Sequence, residues 1–211
     1  MARGIASRAA VLVFGLLLSL PAAARAQEFG LLESAETIDR GTFKLRVNPM
    51  FIFGRDGGDD QTGVAATVGY GFTDRFDVEA AAAFYDGVRF LGANAEVWLL
   101  RDANRAAAFD LSLIGGVHFA RGDNTADTRG FDVTFLGSRR TSERLELYAG
   151  LDLAFESITE EGVDFSYTPI HLVPGLEYRL AQDVDFVAEF GLALNDDARH
   201  YASAGIAFYF R

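Results

Sequence analysis

The chain of 211 residues contains no cysteine, only four prolines and a single tryptophan. Without cysteine it can build neither a disulfide framework nor a thiolate metal centre, so an exported chain of this composition must be stabilised by something else. Basic residues are also scarce, because 19 lysines and arginines stand against 30 aspartates and glutamates. A surface with that balance does not suit nucleic acid, and we expect no nucleic-acid partner.

Long apolar runs are confined to the N-terminus. An apolar run over residues 9–20 follows two arginines, and it is shorter than the roughly 20 residues that a membrane-spanning helix needs. The sequence Ala24-Arg25-Ala26 that follows has the small-x-small pattern of a cleavage site. We therefore predict a signal peptide over residues 1–26, cleaved after Ala26, and no helical membrane span in the remainder.

The dominant pattern in the rest of the chain is an alternation of apolar side chains with polar or small ones, with a period of two. It is clearest in the last hairpin, Val184–Arg211, whose two arms are joined by the polar sequence NDDARH. Arms of roughly 10 residues match the strands of membrane-spanning β-barrels. The same alternation predicts ten strands, over residues 42–53, 63–71, 76–85, 88–100, 106–120, 131–137, 145–156, 165–180, 184–194 and 201–211.

The connections between these strands are asymmetric. Those after odd strands are mostly longer and acidic, with Asp86-Gly87 as the exception, and those after even strands are shorter and often carry arginine. Barrels with external loops and periplasmic turns show this asymmetry. The predicted fold class is all-β, a closed antiparallel up-and-down transmembrane β-barrel of about ten strands over residues 42–211. For residues 27–41 three interpretations stay open: a periplasmic lead-in, a short plug inside the barrel, or a disordered end.

Side-chain size separates a membrane barrel from a soluble, lipocalin-like one. The polar face of the second strand carries only small residues, namely Gly63, Ala65, Thr67, Gly69 and Gly71, whereas the opposite faces of the strands carry phenylalanine and leucine. A crowded lumen needs small residues and a water-facing exterior does not. Aromatic residues also concentrate near the strand ends, as interfacial girdles do. The pattern favours bulky groups facing lipid and small or ionised groups facing the lumen.

A set of charged residues shares the predicted lumen face: Lys44, Arg46, Glu79, Glu96, Asp110, Glu146, Asp152, Glu177, Arg179, Asp185 and Glu189. Charges in such a place are costly unless they are paired or wet. One interpretation is a salt-bridged plug centred on Lys44, Arg46 and Arg179. The other is a thin water path that prefers cations because acids are in excess. The packing of narrow barrels favours the network.

Two fragments carry a family resemblance: GFTDRFDVEAAAAF (Gly71–Phe84) and LNDDARHYASAGIAFYF (Leu194–Phe210). The chain resembles the small outer-membrane β-barrel proteins of Gram-negative bacteria, of the OmpA and OmpX type, over most of its mature length. The resemblance implies an outer-membrane location, contact with lipid and lipopolysaccharide, and recognition of the last strand by the barrel-assembly machinery. Phe210 would be the terminal aromatic residue that this machinery reads, and Arg211 is an addition to that pattern. No oligomeric state follows from it.

No catalytic residue, cofactor or metal ligand is predicted. His118 and His171 share the lumen face and His200 lies at a strand tip, but the paired Asp-x-Asp and Asp-x-His sequences of omptin proteases are lacking. His200 and Ser203 have the wrong spacing for the His/Ser pair of the lipid A deacylase. The acidic loops lack EF-hand spacing, so solvated loops are favoured over divalent-cation sites. We expect a structural or surface-binding role with a filled lumen. A narrow, weakly cation-preferring pore is the first alternative, and a surface hydrolase is the second.

Overall fold

The computed structural model describes residues 33–54, 59–101, 109–122, 127–160 and 163–211. The predicted signal peptide, residues 1–26, and residues 27–32 lie outside the described part of the chain. Within the described ranges no helix is long and apolar enough to cross a bilayer.

The described residues form eleven strands: β1 Phe43–Ile52, β2 Gln61–Thr73, β3 Phe76–Tyr85, β4 Val88–Leu100, β5 Asp110–Gly122, β6 Asp127–Arg140, β7 Leu145–Glu160, β8 Val163–Tyr167, β9 Ile170–Ala181, β10 Val184–Ala193 and β11 Tyr201–Phe210. Buried and exposed residues alternate along most of them, as in β1 and β6, which is the consequence of a pleat with one face turned inward.

Antiparallel pairing closes these strands into a ring. Each of β1 to β6 pairs with the next strand, and β7 pairs with both β8 and β9. The strands β9, β10 and β11 continue the ring to β1. The closed barrel therefore has ten strands, which confirms the predicted fold class. We call the end at which β1 begins and β11 ends the terminal end, and the opposite end the loop end.

β8 is a short extension that was predicted as part of one long strand over residues 165–180. It pairs with the far end of β7 and is separated from β9 at Thr168 and Pro169. Proline has no N–H to give to a ladder. The Asn195 side chain supplies hydrogen bonds to the backbone at this break. Its Nδ2 donates to the Thr168 carbonyl at 2.7 Å, and its Oδ1 accepts from the Ile170 N–H at 3.2 Å. The prediction of one continuous strand was wrong at this break.

The outer face of the barrel is apolar. Val117 is 62% exposed and Phe135 56%, and both alternate with buried neighbours along their strands. Aromatic contacts cluster near both ends, with the rings of Phe131 and Phe155 stacked 4.7 Å apart at one and the rings of Phe43 and Tyr70 4.7 Å apart at the other. An apolar belt with aromatic rings near its rims is suited to a bilayer.

The interior is less uniform than the sequence suggested. Its loop end holds a buried apolar cluster in which bulky side chains lie beside alanines, made of Met50, Ile52, Ala65, Ala83, Tyr85, Val88, Phe90, Ala120, Val173 and Tyr201. Bulky rings find space in this cluster, and in a second cluster that contains Tyr148, because glycines on the neighbouring strands lack a side chain. A Cβ added at Gly191 would lie 2.0 Å from the Tyr201 ring, and one at Gly175 would lie 2.1 Å from the Tyr148 ring.

Candidate functional site

The centre of the lumen is held by an ionic cluster of two bases and two acids. Lys44 and Arg46 both point inward from β1, because alternate residues of a strand share a face. Lys44 Nζ lies 2.9 Å from Glu79 Oε1 and 3.1 Å from Glu33 Oε2. Arg46 contacts Glu79 at 3.3 Å and also donates to Thr67 Oγ1 at 3.3 Å. All four charged side chains are at most 6% exposed, so each charge is paired inside the barrel.

Glu33 belongs to a stretch of chain that enters the lumen from the terminal end. We call residues 33–41 the luminal segment. Its Ile38 N–H donates to Asp77 Oδ2 at 2.6 Å, and its Ala35 packs in a buried cluster with Ile114, Leu136 and Tyr148. The glycines at the terminal end of β2 give it room, since a Cβ at position 71 would lie 2.3 Å from backbone carbonyl oxygens of the segment. Residues 33–38 are buried or half-buried inside the barrel and residues 39–41 are exposed, which favours the plug among the three interpretations left open for residues 27–41.

A second charged group lies at the terminal end, where the luminal segment meets β5 to β7. Arg140 contacts Glu36 at 2.7 Å and Glu146 at 3.3 Å, and the Ser138 hydroxyl donates to Glu146. Carboxylate oxygens of Glu36, Asp110 and Glu146 lie within 4.8 Å of one another. Burial raises the pKa of Glu36, the Glu146 carboxylate raises it further, and Arg140 opposes both effects. The arginine therefore occupies the position that a cation would take among these acids.

A histidine and two acids form a third group nearer the loop end. His118 Nδ1 lies 3.6 Å from Asp132 Oδ1, and its Nε2 lies 3.4 Å from Glu156 Oε1. The Phe90 ring stacks on the imidazole at a centroid distance of 5.5 Å. The two carboxylates approach opposite ring nitrogens, so the arrangement suits an imidazolium between two counter-ions more than a metal that needs converging ligands.

The remaining predicted acids of this half of the barrel have neutral partners. Asp152 accepts a hydrogen bond from the Thr134 hydroxyl at 2.7 Å, and Glu189 accepts one from the Tyr148 hydroxyl at 3.0 Å. His171 Nε2 lies 3.0 Å from the Arg199 carbonyl oxygen, and its Nδ1 lies 3.8 Å from Asp152. These contacts hold the side chains in fixed positions against the wall.

The loop end is crossed by the connection between β10 and β11. Arg199 donates to Gln61 Oε1 at 2.8 Å, to the Asp59 carbonyl at 3.0 Å and to the Phe53 carbonyl at 3.1 Å. The Phe53 N–H donates to the His200 carbonyl at 2.9 Å. This connection is thereby tied to the one between β1 and β2, above the apolar cluster that contains Met50 and Tyr201.

Nine of the eleven predicted lumen charges are buried in the barrel, Glu177 is half-buried, and Arg179 is not enclosed. The Arg179 side chain is 46% exposed, and its Nε approaches Asp185 only to 3.8 Å. Arg179 lies two residues before the end of β9, next to the tight connection to β10, where the barrel wall ends. The expectation of a plug centred on three bases is therefore corrected, because Lys44 and Arg46 are central and Arg179 is at the rim.

Several residues of the interior were not among those predicted. Asp77 and Glu156 have the same parity as the predicted acids of β3 and β7, so the alternation could have identified them. Asp132 lies on β6, where no acid was predicted, but it falls on the buried side of the same alternation. Tyr148 and Tyr201 could have been found only by asking which bulky residue lies opposite a lumen glycine. Glu33 and Glu36 precede the first strand, and their sequence carries no pattern that places them in a lumen.

A closed barrel with a lipid-suited outer belt and its charges inside is a transmembrane β-barrel. Residues 10–210 match the model of the outer membrane protein beta-barrel domain family, and the chain belongs to that family. The family resemblance predicted from the sequence is thus confirmed, and the chain is an outer-membrane β-barrel protein.

Three solved outer-membrane barrels match the chain at low sequence identity. An outer-membrane channel from Pseudomonas putida F1 is 10% identical, with 83% of this chain and 98% of that chain covered and a TM-score of 0.55. The KdgM porin is 10% identical over 80% of this chain and 99% of that chain, with a TM-score of 0.46. Ail, the attachment invasion locus protein of Yersinia pestis, is 14% identical over 81% and 99%, with a TM-score of 0.33. No curated protein matches the chain.

Proposed function

We propose that this protein is a closed outer-membrane barrel with a structural or surface-binding role, and that its lumen does not conduct. The observation that supports this proposal is the filling of the lumen at three levels. The luminal segment occupies the terminal end, the cluster of Lys44, Arg46, Glu33 and Glu79 occupies the centre, and the apolar cluster around Tyr85 and Tyr201 occupies the loop end.

Each level blocks water for a different physical reason. The paired charges at the centre satisfy one another and leave little reason for an ion to displace them. The apolar cluster offers no hydrogen-bonding groups along much of its surface, and constrictions of this kind exclude water by dewetting. The luminal segment adds backbone and side-chain volume in the remaining opening. A path through the barrel would have to cross all three.

In this proposal, the connections at the loop end and the apolar outer face make the contacts with lipid and with external partners. The belt provides the contact with outer-membrane lipid, and the loop end would meet lipopolysaccharide or an external partner. The recognition of β11 by the barrel-assembly machinery is a further part of the proposal, with Phe210 as the exposed aromatic residue near the strand end. A catalytic role is not proposed, because His118 and His171 are 7% and 1% exposed and lie against the barrel wall.

A planar-bilayer recording tests the proposal. The folded chain, inserted at the same protein-to-lipid ratio as a porin that serves as insertion control, should give no discrete current steps. A narrow cation-preferring pore is the alternative, and it is favoured by the excess of acids over bases among the buried lumen charges. Cation-selective steps that shrink in Glu79→Gln and Glu189→Gln would contradict the closed barrel and support that pore.

A further inference from the structure

A cavity of about 120 Å³ lies at the terminal end of the barrel, between the luminal segment and the wall formed by β9 to β11. Thr37 and Thr42 line it from the side of the luminal segment and its link to β1, and Glu177, Asp185 and Tyr209 line it from the wall. A liquid water molecule takes up about 30 Å³, so a cavity of this size can accept an ion together with a few waters.

The charges that line this cavity do not balance. Six acids and four bases surround it, so that the fully ionised lining carries a net charge of −2. Three of the bases have acid partners within 3.1 Å, in the pairs Lys44–Glu33, Arg140–Glu36 and Arg211–Asp39. The three acids of the β9–β10 hairpin, Glu177, Asp183 and Asp185, are left with Arg179, whose side chain is half-exposed.

Buried oxygen atoms on both sides of the cavity lack a hydrogen-bond partner among the described residues. They are Asp185 Oδ1, Thr42 Oγ1 and Thr37 Oγ1, on residues that are 5%, 2% and 7% exposed. The side chains of Glu177 and Asp185 both line this cavity from neighbouring strands, because Glu177 pairs with Val187, two residues from Asp185. Two carboxylates that share a cavity repel each other, and a bound cation would remove that repulsion more fully than the half-exposed Arg179 does.

We propose that this cavity binds one divalent cation, Ca²⁺, through the carboxylates of Asp185 and Glu177 and the hydroxyl of Thr42. The donors are all oxygen, which hard divalent cations prefer, and Ca²⁺ accepts the irregular geometry and retained waters that such a mixed set provides. One divalent charge also balances the excess of the lining. The acids Glu36, Asp110 and Glu146 are not this site, because Arg140 already lies among them.

The bound cation would join the luminal segment to the barrel wall, because its ligands come from both. Binding therefore stabilises the position of the segment, and it does so whether or not the lumen conducts. The conductance test of the proposed function and the binding test of this site can fail independently.

Calorimetric titration of Ca²⁺ into the folded full chain tests the site, in detergent micelles free of lipopolysaccharide and divalent ions. We expect one Ca²⁺ per chain. Asp185→Asn and Glu177→Gln should each lower the affinity on the order of tenfold or more, because the charge of the ligand set controls affinity. Asp74→Asn is the matched control, since it removes an exposed acid at the same end of the barrel and outside the cavity lining, and its affinity should equal that of the unaltered chain.

A spectroscopic readout covers the case in which a charge variant does not fold. Tb³⁺ used in place of Ca²⁺ should give luminescence sensitised by Tyr209, and Tyr209→Phe should lose most of it while keeping the ligands. Absence of Ca²⁺ binding to the unaltered chain overturns the proposal. So does binding that Asp185→Asn and Glu177→Gln leave unchanged, because it would then come from the loop acids.

Discussion

Lys44 and Arg46 are the two residues on which the ionic cluster in the lumen depends. They project from neighbouring inward positions of β1 and share the acids Glu33 and Glu79, at distances from 2.9 to 3.8 Å. A buried pair of this kind adds little net stability over an apolar substitute, yet removing one partner leaves the other charge without compensation. The cluster therefore specifies where the luminal segment sits more than it raises the free energy of unfolding.

Substitution of Lys44 by methionine tests how much stability is lost when the buried acids lose one of their counter-ions. Glu33 and Glu79 would lose a counter-ion that is 6% exposed, and the unfolding free energy should fall by about 3–5 kcal/mol at pH 8. The loss should be smaller at pH 5, because the two carboxyl groups can then take up protons and avoid burying charge. Urea unfolding in detergent micelles measures both values.

The control for this substitution is Arg179→Met, which removes a charge of the same sign from the rim. Because its side chain is 46% exposed, we expect a change of less than about 1 kcal/mol. If the two substitutions lowered the unfolding free energy equally at pH 8, the ionic cluster would contribute no more to stability than a charge at the rim.

Along each strand of this barrel, side chains that face lipid alternate with side chains that must fit inside the narrow lumen. Large side chains fit inside the lumen where a glycine lies opposite them. Tyr148 on β7 lies opposite Gly175 on β9, and Tyr201 on β11 lies opposite Gly191 on β10. In both pairs the ring lies over the backbone of the glycine. The glycines of the lumen face therefore allow tyrosine rings to cross between strands.

Gly175→Ala tests whether the glycine on β9 is needed for the Tyr148 ring of the neighbouring strand to fit. The added Cβ would lie 2.1 Å from the Tyr148 ring, so the ring must move away from Glu189, and we expect a loss of about 1–3 kcal/mol in urea unfolding. Gly115→Ala is the matched control: its Cβ would meet nothing closer than 4.0 Å, and the change should stay within about 0.5 kcal/mol. A Gly175→Ala protein as stable as the control would contradict the role given to the glycine.

The strands could be predicted from the sequence because a period of two is a property of the strand alone. The parity that places Lys44 and Glu79 inside is fixed by the pleat and by the apolar partners on the other face. The luminal segment could not be predicted in the same way, since its position depends on Gly69, Gly71 and Asp77 of other strands. The break at Pro169 likewise depends on Asn195, which is distant in sequence and adjacent only after the barrel closes.

In the described part of the chain, β1 to β7 and β9 to β11 form a ring in which each strand is paired on both sides, which explains how a chain without cysteine can be held together in a membrane. The charges lie inside the ring and the large apolar groups lie mostly outside, apart from the cluster at the loop end. The luminal segment and the connection that carries Arg199 cover the two openings. We propose that stability and closure come from the same arrangement, which would leave water no continuous route.

The absence of native cysteine makes single-cysteine labelling the most direct measurement of that closure. Thr67→Cys places a thiol in the lumen at a position 3% exposed, and Thr62→Cys places one at an exposed position of the same strand near the loop end. With the folded chain in lipid vesicles, a water-soluble maleimide should label Thr62→Cys rapidly and Thr67→Cys only after unfolding in urea. Labelling of folded Thr67→Cys at the rate of Thr62→Cys would show that water reaches the centre of the barrel and would contradict a filled lumen.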